Sequence, residues 1–189
     1  MRWACPAHGA PDTGNSHLGP PTAKLQNAAI PAGTVTMFDQ ATKSITIEAS
    51  PARCFEVVCD FESYPEWATE VKQVEIVRRD DDGRGGLVSF RAAAMGRSTN
   101  YLLEYYYGSN PLRVSWRLVQ GDLTRRLDGE YCFNPVPGEP DHTEVSYHLA
   151  VQMVMPLPGF VKRRAEARIM QTALEDLRSR AESGAGKLL

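Results

Sequence analysis

Residues 143–182 read TEVSYHLAVQMVMPLPGFVKRRAEARIMQTALEDLRSRAE, and the hydrophobic period changes in the middle of the stretch. Before the break, Val145, Tyr147, Leu149, Val151 and Met153 alternate with Glu144, Ser146, His148 and Gln152. That period of two is the pattern of a strand with one covered and one wet face. Pro156 and Pro158 end it. From Pro158 to about Glu182 there is no further proline, the composition favours helix, and Phe160, Ala167, Met170, Leu174, Leu177 and Ala181 recur at spacings of three, four and seven. At 1.5 Å per residue this helix is about 35 Å long, enough to cross a whole sheet. A half-covered strand running into a long amphipathic helix predicts that the helix is the cover.

Upstream, the same alternation recurs in runs of about 71–79, 87–95, 98–107, 112–119 and 123–133. Each break carries turn chemistry: Asp80 to Gly86, Met95-Gly96, Gly108-Ser109-Asn110-Pro111, Gln120-Gly121-Asp122, and Pro135 to Asp141. Short connections between successive strands make antiparallel neighbours. Ile45 and Ile47 mark a first strand to about Ala49, and Ser50-Pro51 is a helix start, a capping hydroxyl followed by proline at the first helical position. Phe55, Val58 and Cys59 give a short helix, and Pro65 opens a second one that carries Trp67. The expected class is α+β: a curved seven-stranded antiparallel sheet around a long C-terminal helix, with two short helices after the first strand.

The chain has 189 residues, 42% hydrophobic and 23% charged, with a formal charge of −2. This is ordinary globular usage for one domain plus extra chain, and it gives no global reason to expect nucleic acid as a partner. No run of about 18 apolar residues offers a membrane-spanning helix, and the start lacks the apolar core of a secretory signal. Of 28 glycines and prolines, nine fall in residues 1–36, where Arg2, Asp12 and Lys24 are the charges. Residues 1–36 are therefore expected to be a disordered leader, with Met37 an alternative start; 42–183 is the folded domain and 184–189 a flexible tail. Cys5, Cys54, Cys59 and Cys132 lack CxxC or regular disulfide spacing. They are read as small buried hydrophobes in a cytoplasmic protein.

The order of elements, with Asp60-Phe61-Glu62-Ser63-Tyr64-Pro65-Glu66-Trp67 after the first helix, resembles the START-like (SRPBCC) superfamily of helix-grip, Bet v 1-like proteins. The likeness is greatest to its polyketide cyclase/dehydrase and coenzyme Q-binding branch. Leu127-Asp128-Gly129-Glu130-Tyr131 and Met155-Pro156-Leu157-Pro158-Gly159-Phe160 extend the resemblance, which spans about 42–183. It implies a deep cavity between sheet and helix for a lipid, a polyprenyl quinone or a polyketide-like molecule. It implies no cofactor.

The strand pattern then supplies candidate cavity residues. From the middle strands these are Phe90, Tyr101, Leu103, Tyr105, Val114, Trp116 and Leu118. Later strands add Leu123, Leu127, Tyr131, Tyr147, Leu149 and Val151, and the helix adds Met170 and Leu174. On pattern alone these side chains equally fill a solid core. Arg125, between Leu123 and Leu127, alternates inward; it either reaches solvent along its stem or anchors a ligand carbonyl or carboxylate. Leu157, Phe160, Lys162, Arg163 and Arg164 place apolar groups beside cations that oppose the helix dipole. They are read either as a contact with an anionic membrane or a partner, or as a solvated basic turn paired with Glu166.

Catalytic signals are thin. His8 and His17 lie in the leader, His142 in a turn and His148 on the polar face. No His or carboxylate pair has metal-ligand spacing, no GxSxG is present, and Gly83, Gly85 and Gly86 belong to a turn without a following phosphate-loop signature. No Asp, Glu or His is expected to face inward, so a general base is not evident. Binding or transport of a hydrophobic small molecule is the leading expectation. A polyketide aromatase/cyclase-like enzyme is the alternative, and a ribosome- or protein-binding module a third. The expected assignments of catalytic and metal-ligand residues are empty.

Overall fold

The computed structural model describes residues 41–94, 97–155 and 158–185; the expectations for residues 1–36 and for Leu157 lie outside them. Strand β1 (Ala41–Ile47) is followed by α1 (Pro51–Cys59), a 3₁₀ turn (Phe61–Ser63) and α2 (Tyr64–Trp67). Ser50 caps α1 as its sequence predicts, its side chain accepting from the Arg53 N–H, with Pro51 in the first turn. Six strands then run as β2 (Val71–Arg79), β3 (Gly85–Ala94), β4 (Arg97–Ser109), β5 (Leu112–Gly121), β6 (Thr124–Val136) and β7 (Glu139–Met153). The last helix, α3 (Gly159–Ala185), continues past its expected end at Glu182.

The sheet order is β1-β7-β6-β5-β4-β3-β2, all antiparallel. Each consecutive pair from β2 to β7 is a hairpin, and β1 closes the far edge on β7, from Ala41 opposite Leu149 to Ile47 opposite Thr143. Extra residues in β2, β5 and β6, at Lys72, Val77, Val119 and Arg125, bend the sheet. α1 and the 3₁₀ turn plug one end of it. Phe55 packs edge-on to Tyr107 and Phe133, and Phe61 lies 4.6 Å from the Tyr105 ring. A Cβ on Gly85 would stand 2.7 Å from the Phe61 ring, so glycine there lets the ring lie on the strand.

One expectation needs correction. The face opposite the core is not uniformly wet: Glu130, Cys132, Ser146 and Ala150, in the middle of β6 and β7, are buried. Alternation reports which side a residue faces and not what lies over that side. Cys54 is buried and Cys59 half-buried, and both are free.

Candidate functional site: a row of rings under the last helix

The inner face of the sheet carries a connected row of rings. Phe90 stacks on Tyr101 at 5.3 Å, Tyr105 meets Trp116 at 5.9 Å, and Trp116 meets Tyr131 and Tyr147 at 5.5 and 5.8 Å. Tyr131 and Tyr147 stack at 4.4 Å as cross-strand partners. Gly129 explains how Trp116 fits. The two are paired across β5 and β6, and a Cβ at Gly129 would stand 2.4 Å from the indole and 2.8 Å from the His148 carbonyl oxygen. The Leu127-Asp128-Gly129-Glu130-Tyr131 segment is thus a shelf for the indole, an aromatic lying over a strand glycine.

The helix backbone runs closest to β1, β7, α1 and α2. Large side chains from the middle strands occupy the interval between sheet and helix and join Met170 and Leu174 in one buried cluster. Tyr105, Trp116, Tyr131, Tyr147 and Val151 keep 6–9% of their surface accessible, whereas Ile47, Val88, Val114, Phe133, Val145, Leu149, Leu174 and Leu177 are at 0–1%. All of these side chains are buried, the rings slightly less completely than their aliphatic neighbours.

Hydroxyl chemistry differs along the row. Tyr64 donates to the Val58 carbonyl at 2.7 Å and Tyr107 to the Gly85 carbonyl at 2.6 Å. Tyr131 and Tyr147 meet ring on ring. Among the described residues nothing engages the Tyr101 and Tyr105 hydroxyls. Burial pushes the phenols of Tyr101, Tyr105, Tyr131 and Tyr147 above their ordinary range, with the charge of Glu70 a further cause at Tyr101 and Tyr147. These groups stay neutral at physiological pH. They can orient a carbonyl or hydroxyl on a ligand but cannot serve as bases.

The remaining sequence-predicted residues divide. Phe90, Leu103, Val114, Leu149, Met170 and Leu174 are buried on the inner side, and Tyr101, Leu118, Leu123 and Leu127 are half-buried. Arg125 is not inward. It is exposed, and the β6–β7 register shifts between Thr124 and Arg126, so a bulge interrupts the alternation at this residue. Phe160 and Ala167 are also exposed, where the helical pattern predicts them inward. The buried stripe of α3 is Glu166, Met170, Leu174, Leu177 and Ala181. One residue is 100° on a helix, and the packing of Leu174 and Leu177 selects this rotation.

Sequence reasoning therefore missed an acidic group. Glu166 is 3% exposed on the inward stripe, with its carboxylate 3.6 Å from the Lys162 ammonium. The signal was present in the sequence, because Glu166 stands four residues before Met170 and eight before Leu174. Lys43 was missed as well: opposite Tyr147 on β1, it donates from Nζ to Gln171 Oε1 on α3. His148 is half-buried, its Nδ1 2.9 Å from the Thr42 hydroxyl, and desolvation lowers its pKa. Burial raises the Cys59 thiol to about 12, which leaves it unreactive.

Two depressions lie elsewhere, one of about 570 Å³ at the β6–β7 turn and one of about 510 Å³ on the outer face beside Glu104. Among the described residues no helix is long and apolar enough to cross a membrane, and no group of three potential ligands could hold a metal ion.

A bent seven-stranded antiparallel sheet around a long C-terminal helix defines the helix-grip class. The chain belongs to the polyketide cyclase/dehydrase and lipid transport family, whose model matches residues 39–182. Among solved structures it is similar to a START superfamily protein from Mycobacterium smegmatis, with 26% identity and a TM-score of 0.72 over 76% of this chain and 97% of that one. A protein from Thermus thermophilus is 25% identical, with a TM-score of 0.65 over 78% of this chain and 100% of that one. The aromatase/cyclase ZhuI from a Streptomyces species, at 12% identity, shares the fold with a TM-score of 0.68 over 79% of this chain and 96% of that one. No curated protein matches the sequence.

Proposed function

We propose that this protein binds or carries a hydrophobic small molecule, of the lipid, polyprenyl-quinone or polyketide-like kind, between the inner face of the sheet and α3. The observation that carries the reading is the connected row of rings on the inner face of the sheet under α3, in which the Tyr101 and Tyr105 hydroxyls have no partner among the described residues. Apolar rings supply contact area, and the Tyr101 and Tyr105 hydroxyls supply the few polar groups that orient a guest. Family membership supports the same ligand class. Solvent extraction and mass spectrometry of the full chain, purified without detergent, should release an apolar molecule in near-stoichiometric amount. An empty extract, from protein that also takes up neither a fluorescent fatty acid nor a quinone analogue, would overturn the proposal. The reading includes peripheral contact with an anionic membrane around Leu157, Phe160, Lys162, Arg163 and Arg164.

Glu166 favours a second reading, an aromatase/cyclase-like enzyme. Cyclisation of a poly-β-ketone needs a proton acceptor near the chain, and a carboxylate on the inward stripe of α3 is a group of that type. Turnover of a polyketide mimic that is lost in Glu166→Gln, with binding retained, would support the enzyme. Equal turnover by the variant and the parent would remove Glu166 from the chemistry.

A further inference from the structure

The end of the molecule where β7 leaves the sheet carries apolar side chains that nothing covers. Met155 is 73% exposed, Phe160 71% and Val154 42%. The Val154 N–H donates to the Leu123 carbonyl at 3.0 Å, which joins this connection to the β5–β6 hairpin. Cations surround it. Arg125 is thrown outward by the bulge at the start of β6. Arg163, Arg164 and Arg168 are exposed on α3; Arg164 and Arg168 fall with Phe160 on the side away from the buried Glu166 and Met170, and Arg163 stands at the edge of the buried stripe. Among the described residues none of these four arginines has an acidic partner.

The carboxylates at this end are engaged elsewhere. Asp122 accepts from the Thr99 hydroxyl and the Asn100 N–H, Asp128 pairs with Arg126 at 2.7 Å, and Glu166 lies buried beside Lys162. The surface therefore combines exposed apolar groups with uncompensated positive charge, on a chain whose overall formal charge is −2. Three cations in the first turns of a helix also oppose its dipole, so local helix energetics does not account for them. Phosphate headgroups above an acyl layer answer both features at once: apolar side chains enter the boundary while guanidinium groups pair with phosphates.

We propose that this end docks on a membrane that contains anionic lipid, with Met155 and Phe160 in the headgroup region and Arg125, Arg163, Arg164 and Arg168 against the phosphates. Docking deepens the peripheral membrane contact included in the function proposed above and does not require a bound guest.

The test is co-sedimentation of the full chain with vesicles of phosphatidylcholine alone and of phosphatidylcholine with phosphatidylglycerol, at low and high salt. The parent should partition onto the anionic vesicles at low salt and be released by salt. Arg163→Gln with Arg164→Gln should lower the partition coefficient by about thirtyfold, two surface cations being removed. Met155→Ser with Phe160→Ser should lower it severalfold, with the circular dichroism of the parent retained because both positions are exposed. Equal recovery of the parent in the supernatant with both vesicle types, binding as strong to neutral as to anionic vesicles, or unchanged binding in both double variants would overturn docking. A protein that yields no extractable guest but still sediments with anionic vesicles keeps the docking surface and loses the binding function.

Discussion

The two ends of the space between sheet and helix use the same residue types to opposite effect. At the end closed by α1 and the 3₁₀ turn, Phe55, Phe61, Tyr64, Tyr107 and Phe133 interlock, and the tyrosine hydroxyls are held by the backbone carbonyls of Val58 and Gly85. Further along the sheet, Tyr105 continues the row from Phe61 through Trp116 to Tyr131 and Tyr147, with Tyr101 stacked on Phe90, and the Tyr101 and Tyr105 hydroxyls are held by neither backbone nor side chain among the described residues. Aromatic content therefore does not distinguish a plug from a binding surface. What distinguishes them is whether the polar tips already have partners.

This contrast is sharpest for Phe61. The ring is 1% exposed and touches Tyr64, Phe90 and Tyr105, so Phe61→Ala should cost about 3–5 kcal/mol of stability, read from urea unfolding. A loss below about 1 kcal/mol would mean that the closed end is not packed as described. Gly129→Ala comes next. Its new methyl would meet both the Trp116 ring and a backbone carbonyl, so a destabilisation of about 1–3 kcal/mol is expected, with a change in tryptophan fluorescence as the ring is displaced. Tyr105→Phe should behave in the opposite way to Phe61→Ala, with stability changed by less than about 1 kcal/mol and uptake of a quinone or fatty-acid probe weakened several-fold. Unaltered uptake would remove that hydroxyl from the site.

The smallest effect belongs to neither end but to the outer face, and it sets the background for the others. Glu104 accepts from Tyr106, Arg117 and Arg78, and its carboxyl is held down to about 2 from an ordinary 4.5. A carboxylate with a depressed folded-state pKa contributes stability that is present above its unfolded pKa and lost as pH falls through the folded one. Glu104→Gln should therefore flatten the loss of stability between about pH 4.5 and 2, measured by thermal unfolding across that range, and leave guest uptake at pH 7 unchanged. An identical acid profile in the variant would show that the Arg78–Glu104–Arg117 cluster contributes nothing net, as exposed ion pairs often do.

Local pattern was sufficient for the order of elements. Period two through β3–β7, the turn residues between strands, the Ser50-Pro51 cap and the period of α3 are all short-range signals, because side-chain direction in a strand or helix repeats within a few residues. The members of the ring row were legible for the same reason. Arg125 was not, because a bulge is a property of two strands in register and leaves little trace in one of them. Nor was Glu166: a helix with apolar residues at several angles can rotate by one residue, and contacts with β1, β7 and α1 choose the angle that buries Glu166 and exposes Ala167 and Phe160.

The amino-acid sequence by itself determined that a half-apolar antiparallel sheet must be covered by the C-terminal helix, since no other segment could shield that face from water. Only the tertiary structure decided how closely the cover sits, which face of the helix looks inward, and that the middle of β6 and β7 is buried on its outer side as well. These are distances and rotations between elements far apart in the chain. They follow from how whole surfaces fit together, and no single run of residues encodes them.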